Sequence, residues 1–388
     1  MLASCAQDAP QDTWDPAGDY AQDIHNLQWP IFAIAGVVGI IVFTFVGISI
    51  AKFRDRGQPI PEQSHGKAWL EYLFIALPAV LLASIAVPTV AGVIALNNHD
   101  DPDCIINVTG QQWWWEYDYP IAEDGSICGF VPNGESAPII TSGQMIIPTD
   151  AKVVIRGTSR DVIHSFWVPR LNGKRDMVPG RVHAWNFRAD EPGIYAGQCA
   201  EFCGLSHANM RMEIVALDPP DFQQWIDNEL EPYQPPEPDS LAAAGEQTYI
   251  AQCARCHQVN GLTDADGDLI VSAPEQFVWS GAAPNLTNLM MRNTFAGATW
   301  DLVTEECRDE IWGAAPSEFG EIYLEGVTPD CLNEIDLKEW IRNAPEKKPM
   351  FADAEELAPT DGKVRGMPYL ALSENQIDES VAYLLERK

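Results

Sequence analysis

The run Cys199-Ala-Glu-Phe-Cys203-Gly-Leu-Ser-His207-Ala-Asn-Met210 gathers two thiols, an imidazole and a thioether within twelve residues. Soft sulfur donors beside an imidazole favour copper over hard cations, and the added thioether points away from structural zinc. A second imidazole has to come from elsewhere. His164, in Asp161-Val-Ile-His164-Ser-Phe-Trp-Val-Pro169 at the end of a β-like run, is the candidate. The competing reading is a disulfide between Cys199 and Cys203 with an unrelated surface histidine. A second run, Cys253-Ala-Arg-Cys256-His257, has the spacing of c-type haem attachment. There the two thiols add to the vinyl groups and the following histidine ligates the iron. A lone Cys-x-x-Cys also serves redox or zinc chemistry, but no second pair lies nearby at zinc spacing.

These groups need elements to hold them. Residues 30–51 are 22 residues without a charge, and residues 69–96 are apolar apart from Glu71. Each is long enough to cross a hydrocarbon core of ~30 Å, and Pro78 and Pro88 in the second are tolerated in membrane helices. Lys52, Arg54, Arg56 and Lys67 lie between them. A short basic loop belongs on the cytoplasmic side, which turns both chain ends outward. Further on, residues 152–156, 182–187 and 211–217 alternate or run apolar between Gly, Pro and Asp turns, as strands of a β-sandwich or barrel do. An acidic stretch with Pro219, Pro220, Pro232, Pro235, Pro236 and Pro238 reads as a semi-rigid linker broken by one short helix over 222–230. The last helix is marked by Ser373 and Gln376 as a capping box and by Ile377, Val381, Leu384 and Leu385 on one face.

The divisions are therefore 1–28, an external segment; 29–98, a transmembrane hairpin; 99–218, the copper domain; 219–240, the linker; and 241–388, the haem domain. Among 388 residues, 24 basic and 56 acidic side chains give a net charge of −32. That balance excludes non-specific nucleic-acid binding and favours cationic partners. Leu2-Ala3-Ser4-Cys5 resembles a bacterial lipobox, which makes Cys5 a candidate for lipidation, although the apolar segment that should precede it is missing.

The Cys-x-Glu-x-Cys-Gly-x-x-His-x-x-Met run, with His-Ser-aromatic-x-Val-Pro upstream, resembles subunit II of haem–copper cytochrome c oxidases over about residues 20–230. The resemblance implies a cupredoxin-like β-barrel behind a two-helix hairpin, and a dinuclear copper centre, CuA. By that likeness Cys199 and Cys203 bridge two copper ions, His164 and His207 each bind one, and Met210 and the Glu201 carbonyl complete the ligation. It further implies that Trp113, first of Trp113-Trp114-Trp115, passes electrons in; Trp is enriched at membrane interfaces, and Trp114 and Trp115 read as packing there. Glu71, seven residues before Pro78, matches an acid at the mouth of a proton pathway into subunit I, and Glu201 reaches an interface magnesium. Residues 241–388 resemble an all-α class I cytochrome c domain. Gly245 and Tyr249 fall on its first helix, and Met367 of Gly366-Met367-Pro368 is the distal iron ligand, with Met350, Met290 and Met291 competing. Residues 300–345 read as an insertion.

The remaining thiols pair most economically within domains, as Cys104–Cys128 and Cys307–Cys331, free buried thiols being the alternative. The whole reads as subunit II of a caa-type terminal oxidase in a bacterial plasma membrane, with its soluble domains on the outer side. Its partners are subunits I and III and an external donor, such as a cytochrome c or a cytochrome bc-type complex. It carries electrons for oxygen reduction and proton pumping in subunit I. The rival readings are a CuA-bearing nitric oxide reductase subunit and a stand-alone electron-transfer lipoprotein. A quinol oxidase subunit lacks the copper ligands present here.

Overall fold

The computed structural model describes residues 9–57, 65–264, 266–271, 281–350 and 366–388. Cys5 and the lipobox lie outside them. Residues 20–98 form one compact unit, and residues 99–388 with the N-terminal segment form another.

The smaller unit is a pair of helices, α1 (Asp19–Lys52) and α2 (Ala68–Leu96). Both are long and apolar enough to cross a bilayer. Large apolar side chains such as Ile40, Phe43, Phe74 and Val87 stand exposed on them, a surface suited to acyl chains rather than water. Helix α1 starts well before the uncharged stretch at residue 30, because Asp19 and the polar residues after it continue the same helix. Pro78 and Pro88 lie inside α2, and Glu71 is in its first turn.

The larger unit begins with a β-sandwich. One sheet has the order β3 (Ile139–Ser142), β2 (Trp114–Tyr119), β1 (Cys104–Gln111), β5 (Val153–Ser159), β8 (His183–Phe187). The other runs β4 (Gln144–Pro148), β10 (Arg211–Leu217), β9 (Gly193–Cys199), β6 (His164–Trp167), β7 (Lys174–Met177). Alternating burial along β1 follows from its period-two pattern, with Ile106 and Val108 turned inward. Trp115, Tyr117, Phe166 and Phe187 fill the space between the sheets. The Cys104–Cys128 disulfide ties β1 to the loop between β2 and β3.

The proline-rich stretch differs from its reading as a linker. Helix α3 (Pro219–Glu229) takes its first two prolines in the opening turn, where a missing N–H is harmless, and follows Asp218 at the N-cap position. Phe222, Trp225 and Ile226 are buried in the sandwich core, and Trp225 lies 5.0 Å from Tyr119, ring to ring. What remains of the link, residues 230–240, is mostly exposed but is held at Tyr233. The Tyr233 ring lies under Arg387, and its hydroxyl meets Tyr383 at 3.3 Å.

The C-terminal part is built on α4 (Leu241–Gln252), capped by Ser240, and the terminal helix α9 (Glu374–Leu385), whose Ser373–Gln376 capping box is complete. Between them lie α5 (Glu305–Gly313), α6 (Pro316–Leu324), α7 (Glu334–Arg342) and α8 (Ala344–Lys347). A two-residue ladder, β11 (Thr294–Phe295) with β12 (Trp300–Asp301), departs from an all-α domain. The Cys307–Cys331 disulfide closes the segment holding α5 and α6.

Helices α4 and α9 meet at Gly245, where an added Cβ would lie 2.0 Å from the Glu379 carbonyl oxygen. Neither backbone can retreat without breaking its own helix. Gly245→Val is expected to destabilise this domain by about 1–3 kcal/mol, as overpacking does. Calorimetry of the variant should show the loss.

Candidate functional site

The sulfur-rich run forms the turn between β9 and β10. Cys199 ends β9, and its N–H donates to the Met210 carbonyl at 2.9 Å, closing the loop at the head of the β9–β10 ladder. His164 opens β6, which pairs with β9 through Phe166 opposite Cys199. The sheet therefore brings residues 35 positions apart to one end of the sandwich. Gly204 has φ +112, and a Cβ there would come within 2.8 Å of Gln112 Nε2, so only glycine lets the loop lie this close to the strand-connecting turn.

The donor atoms converge. Cys199 Sγ and Cys203 Sγ are 3.8 Å apart and unbonded. His164 Nδ1 is 3.9 Å from Cys199 Sγ, and His207 Nδ1 is 3.5 Å from Cys203 Sγ. Met210 Sδ lies 3.8 Å from Cys203 Sγ, and the Glu201 carbonyl oxygen 3.2 Å from Cys199 Sγ. His164, Cys199, Cys203 and Met210 are buried, whereas the Glu201 side chain is exposed. His164, Cys199 and Cys203 alone already place their donor atoms within 4.8 Å of one another. The Asp161 carboxylate meets His164 Nε2 at 2.8 Å, which fixes the ring and turns Nδ1 to the sulfurs. Cys199 is pulled down to about 4, chiefly by the bond from the Cys203 thiol and then by His164. Burial lowers His164, but Asp161 and Cys199 outweigh it and leave the net shift upward. A buried thiolate beside imidazoles and a thioether is a donor set that fits copper.

The second cluster lines a cavity of about 180 Å³. Cys253, Cys256 and His257 follow α4, and Met367 and Met350 border the same space. The Cys256 carbonyl holds the returning chain by accepting from Gly281 N at 2.9 Å and Ala283 N at 3.1 Å. His257 Nδ1 donates to the Pro284 carbonyl at 2.8 Å, so Nε2 carries the lone pair. Burial pushes Cys253 up to about 12 and holds His257 below its ordinary value, leaving neutral thiols and a neutral, ligating imidazole. A mostly apolar cavity with two unbonded thiols and an oriented imidazole on its wall fits a covalently held haem. Met290 and Met291 are buried in the packed cores instead.

Trp113 stands between the two clusters. It lines the cavity, and its indole Nε1 donates to the Cys203 carbonyl at 3.0 Å. Gln112 Nε2 donates to the same oxygen at 2.7 Å. Trp114 also lines the cavity. Trp115 is wholly buried against Phe166 and His164. Packing of Trp114 and Trp115 at a membrane interface is therefore corrected: both rings are spent inside the soluble unit.

Sequence reasoning missed Asp161, Gln112 and Lys348. Asp161 was within reach, three residues before His164. Lys348 was not: its ammonium donates to the Trp113 carbonyl at 2.9 Å and the Ala296 carbonyl at 2.7 Å across 235 residues of chain. Burial pushes that amine down to about 7.

A helical hairpin apolar enough for a bilayer, joined to a cupredoxin-like sandwich with a sulfur-rich metal loop, defines a membrane-anchored electron-transfer protein. The sequence matches the family models for cytochrome c oxidase subunit II, periplasmic domain, over residues 104–217, and transmembrane domain, over residues 9–91. It is 35% identical to cytochrome c oxidase subunit 2 of Alkalihalophilus pseudofirmus, over 74% of this chain and 81% of that protein. It is 28% identical to the Bacillus sp. (strain PS3) subunit 2, over all of this chain and 94% of that one. Among solved structures, the periplasmic domain of subunit II from Bradyrhizobium japonicum covers 33% of this chain and 94% of its own, at 28% identity and TM-score 0.29. The chain belongs to the cytochrome c oxidase subunit II family.

Asp161→Asn keeps the shape of the side chain but removes the charge that orients His164. Copper affinity is expected to fall about 10- to 100-fold, as loss of an outer-shell partner does. Competition with a chelator of known affinity measures it.

Proposed function

We infer that the chain is the electron-transfer subunit of a terminal cytochrome c oxidase, a two-pass membrane protein that works with subunit I. We propose that it carries electrons from a covalent haem c in its C-terminal domain to a dinuclear CuA centre in its β-sandwich, and onward to subunit I for reduction of oxygen to water. Bound in these sites, the haem and the copper pair supply one-electron redox chemistry. Cys253 and Cys256 would hold the haem covalently, and His257 and Met367 would ligate its iron. Cys199, Cys203, His164, His207, Met210 and the Glu201 carbonyl would hold the coppers. Soft donors fixed on a rigid sheet end would favour electron transfer over bond-making.

The position of Trp113 carries this reading. A single buried indole reaches from the cavity wall that bears Cys253 and His257 to the backbone of a copper-bridging cysteine. Exposed Phe202 and Leu205, on the copper loop itself, offer an apolar rim for subunit I. Arg54, Arg56 and Lys67 lie between α1 and α2, and such a basic connection supports a cytoplasmic hairpin loop with the soluble domains outside. Glu71 lies in the first turn of α2, and an acid there supports a role in feeding a proton pathway in subunit I. The exposed Glu201 carboxylate is free to reach a magnesium at the subunit interface. The net charge of −32 calls for a cationic external donor, such as a cytochrome c.

Cys199→Ser is expected to abolish the mixed-valence copper signal in electron paramagnetic resonance while the haem still accepts electrons from the donor. Normal reduction of the haem in subunit I by that variant sinks the route. Met367→Ala should remove the methionine–iron band and lower the haem potential with copper content unchanged. An unaltered spectrum moves the ligand to Met350.

A further inference from the structure

The segment that reads as an insertion reaches into the copper domain. In α6, Phe319, Tyr323 and Leu324 are buried within the same core as Trp225 and Phe222 of α3. At Gly320 the approach is so close that a Cβ would lie 1.9 Å from Asp221 Oδ2. The Tyr323 hydroxyl donates to Gln144 Oε1 at 3.1 Å, and Gln144 Nε2 donates to Glu213 Oε2 at 2.6 Å and to Asn293. Beside them Arg292 donates to Ser142 Oγ at 2.9 Å, and Asn288 to Glu229 Oε2 at 2.9 Å. The base of the segment is closed onto the haem-bearing domain: Cys307 is bonded to Cys331, Thr304 N donates to the Cys331 carbonyl at 2.8 Å, and Val327 N to the Met290 carbonyl at 2.6 Å. An apolar knob at one end, a staple at the other and a buried, hydrogen-bonded polar layer alongside specify one relative position of the two domains.

We infer that residues 304–331 are a docking arm that fixes the C-terminal domain on the copper domain. Electrons then cross at one set geometry, and the domain does not swing out on a tether to collect them. The inference rests on the reading above that electrons pass between these two sites. It adds that the external donor must come to a stationary acceptor.

The test uses the whole chain in its oxidase. Transfer from haem c to copper is followed after flash reduction while glycerol raises the viscosity about fivefold, which slows domain excursions but not electron hops between fixed sites. In the unaltered protein the rate should stay constant. A rate that falls in proportion to viscosity overturns the arm, whereas absence of any transfer overturns the route instead. Phe319→Asp and Gly320→Val, which evict α6 from the core, should make transfer at least about tenfold slower and viscosity-dependent, with haem and copper spectra retained. An unchanged rate in both, with α6 shown to be released, counts against the arm. Should the variants lose copper, amide hydrogen exchange of the unaltered chain decides independently of electron flow. Residues 316–324 are expected to exchange as slowly as α3, and exchange at the pace of exposed helix ends refutes the docking.

Discussion

Two sulfur atoms held 3.8 Å apart without a bond set the terms for the soluble part of the molecule. A buried thiolate is expensive in a low-dielectric interior unless positive charge or hydrogen-bond donors face it, and a second sulfur at that distance sharpens the demand. The fold answers it from several sides. The β9–β10 ladder fixes both ends of the loop, β6 delivers His164, and the Asp161 carboxylate keeps the ring from turning away. Gln112 and Trp113 hold the Cys203 carbonyl from the opposite flank. Stability at this end of the sandwich is given up for a site ready to receive metal.

What the sequence made legible was local. The sulfur-bearing residues stand in two short runs, the Cys199–Met210 loop and Cys253-x-x-Cys256-His257, and the structure gathers their side chains at two places. Strand β10 coincides with the stretch read as 211–217, and the terminal helix is announced by Ser373 and Gln376. Errors came where one residue type has two uses. Prolines read as linker also open helices, so α3 starts at Pro219, three residues before the helix read over 222–230. Tryptophans read as membrane anchors also fill cores, so Trp114 and Trp115 were misplaced. Contacts between domains were illegible throughout. Lys348 to Trp113, Arg292 to Ser142 and Tyr323 to Gln144 join positions about 150 to 235 residues apart, and no local pattern encodes such pairs.

The polar layer between the domains also has a thermodynamic character of its own. Glu213 and Glu229 are both buried there, and burial pushes Glu213 up to about 7. Arg292 is buried as well, and its two terminal nitrogens donate to Ser142 Oγ and the Asn285 carbonyl. Such layers add little net stability but penalise every misaligned arrangement, because each slip leaves a buried group unpaired. The apolar knob of α6 supplies affinity, and the polar layer supplies register.

Trp113 belongs to neither half alone. Its indole is claimed by the copper loop, and its backbone carbonyl by an amine from the far end of the polypeptide. A change that reshapes one pocket therefore reaches the other through this one side chain and its carbonyl. Carried on one polypeptide and joined at Trp113, the two pockets answer to a single constraint.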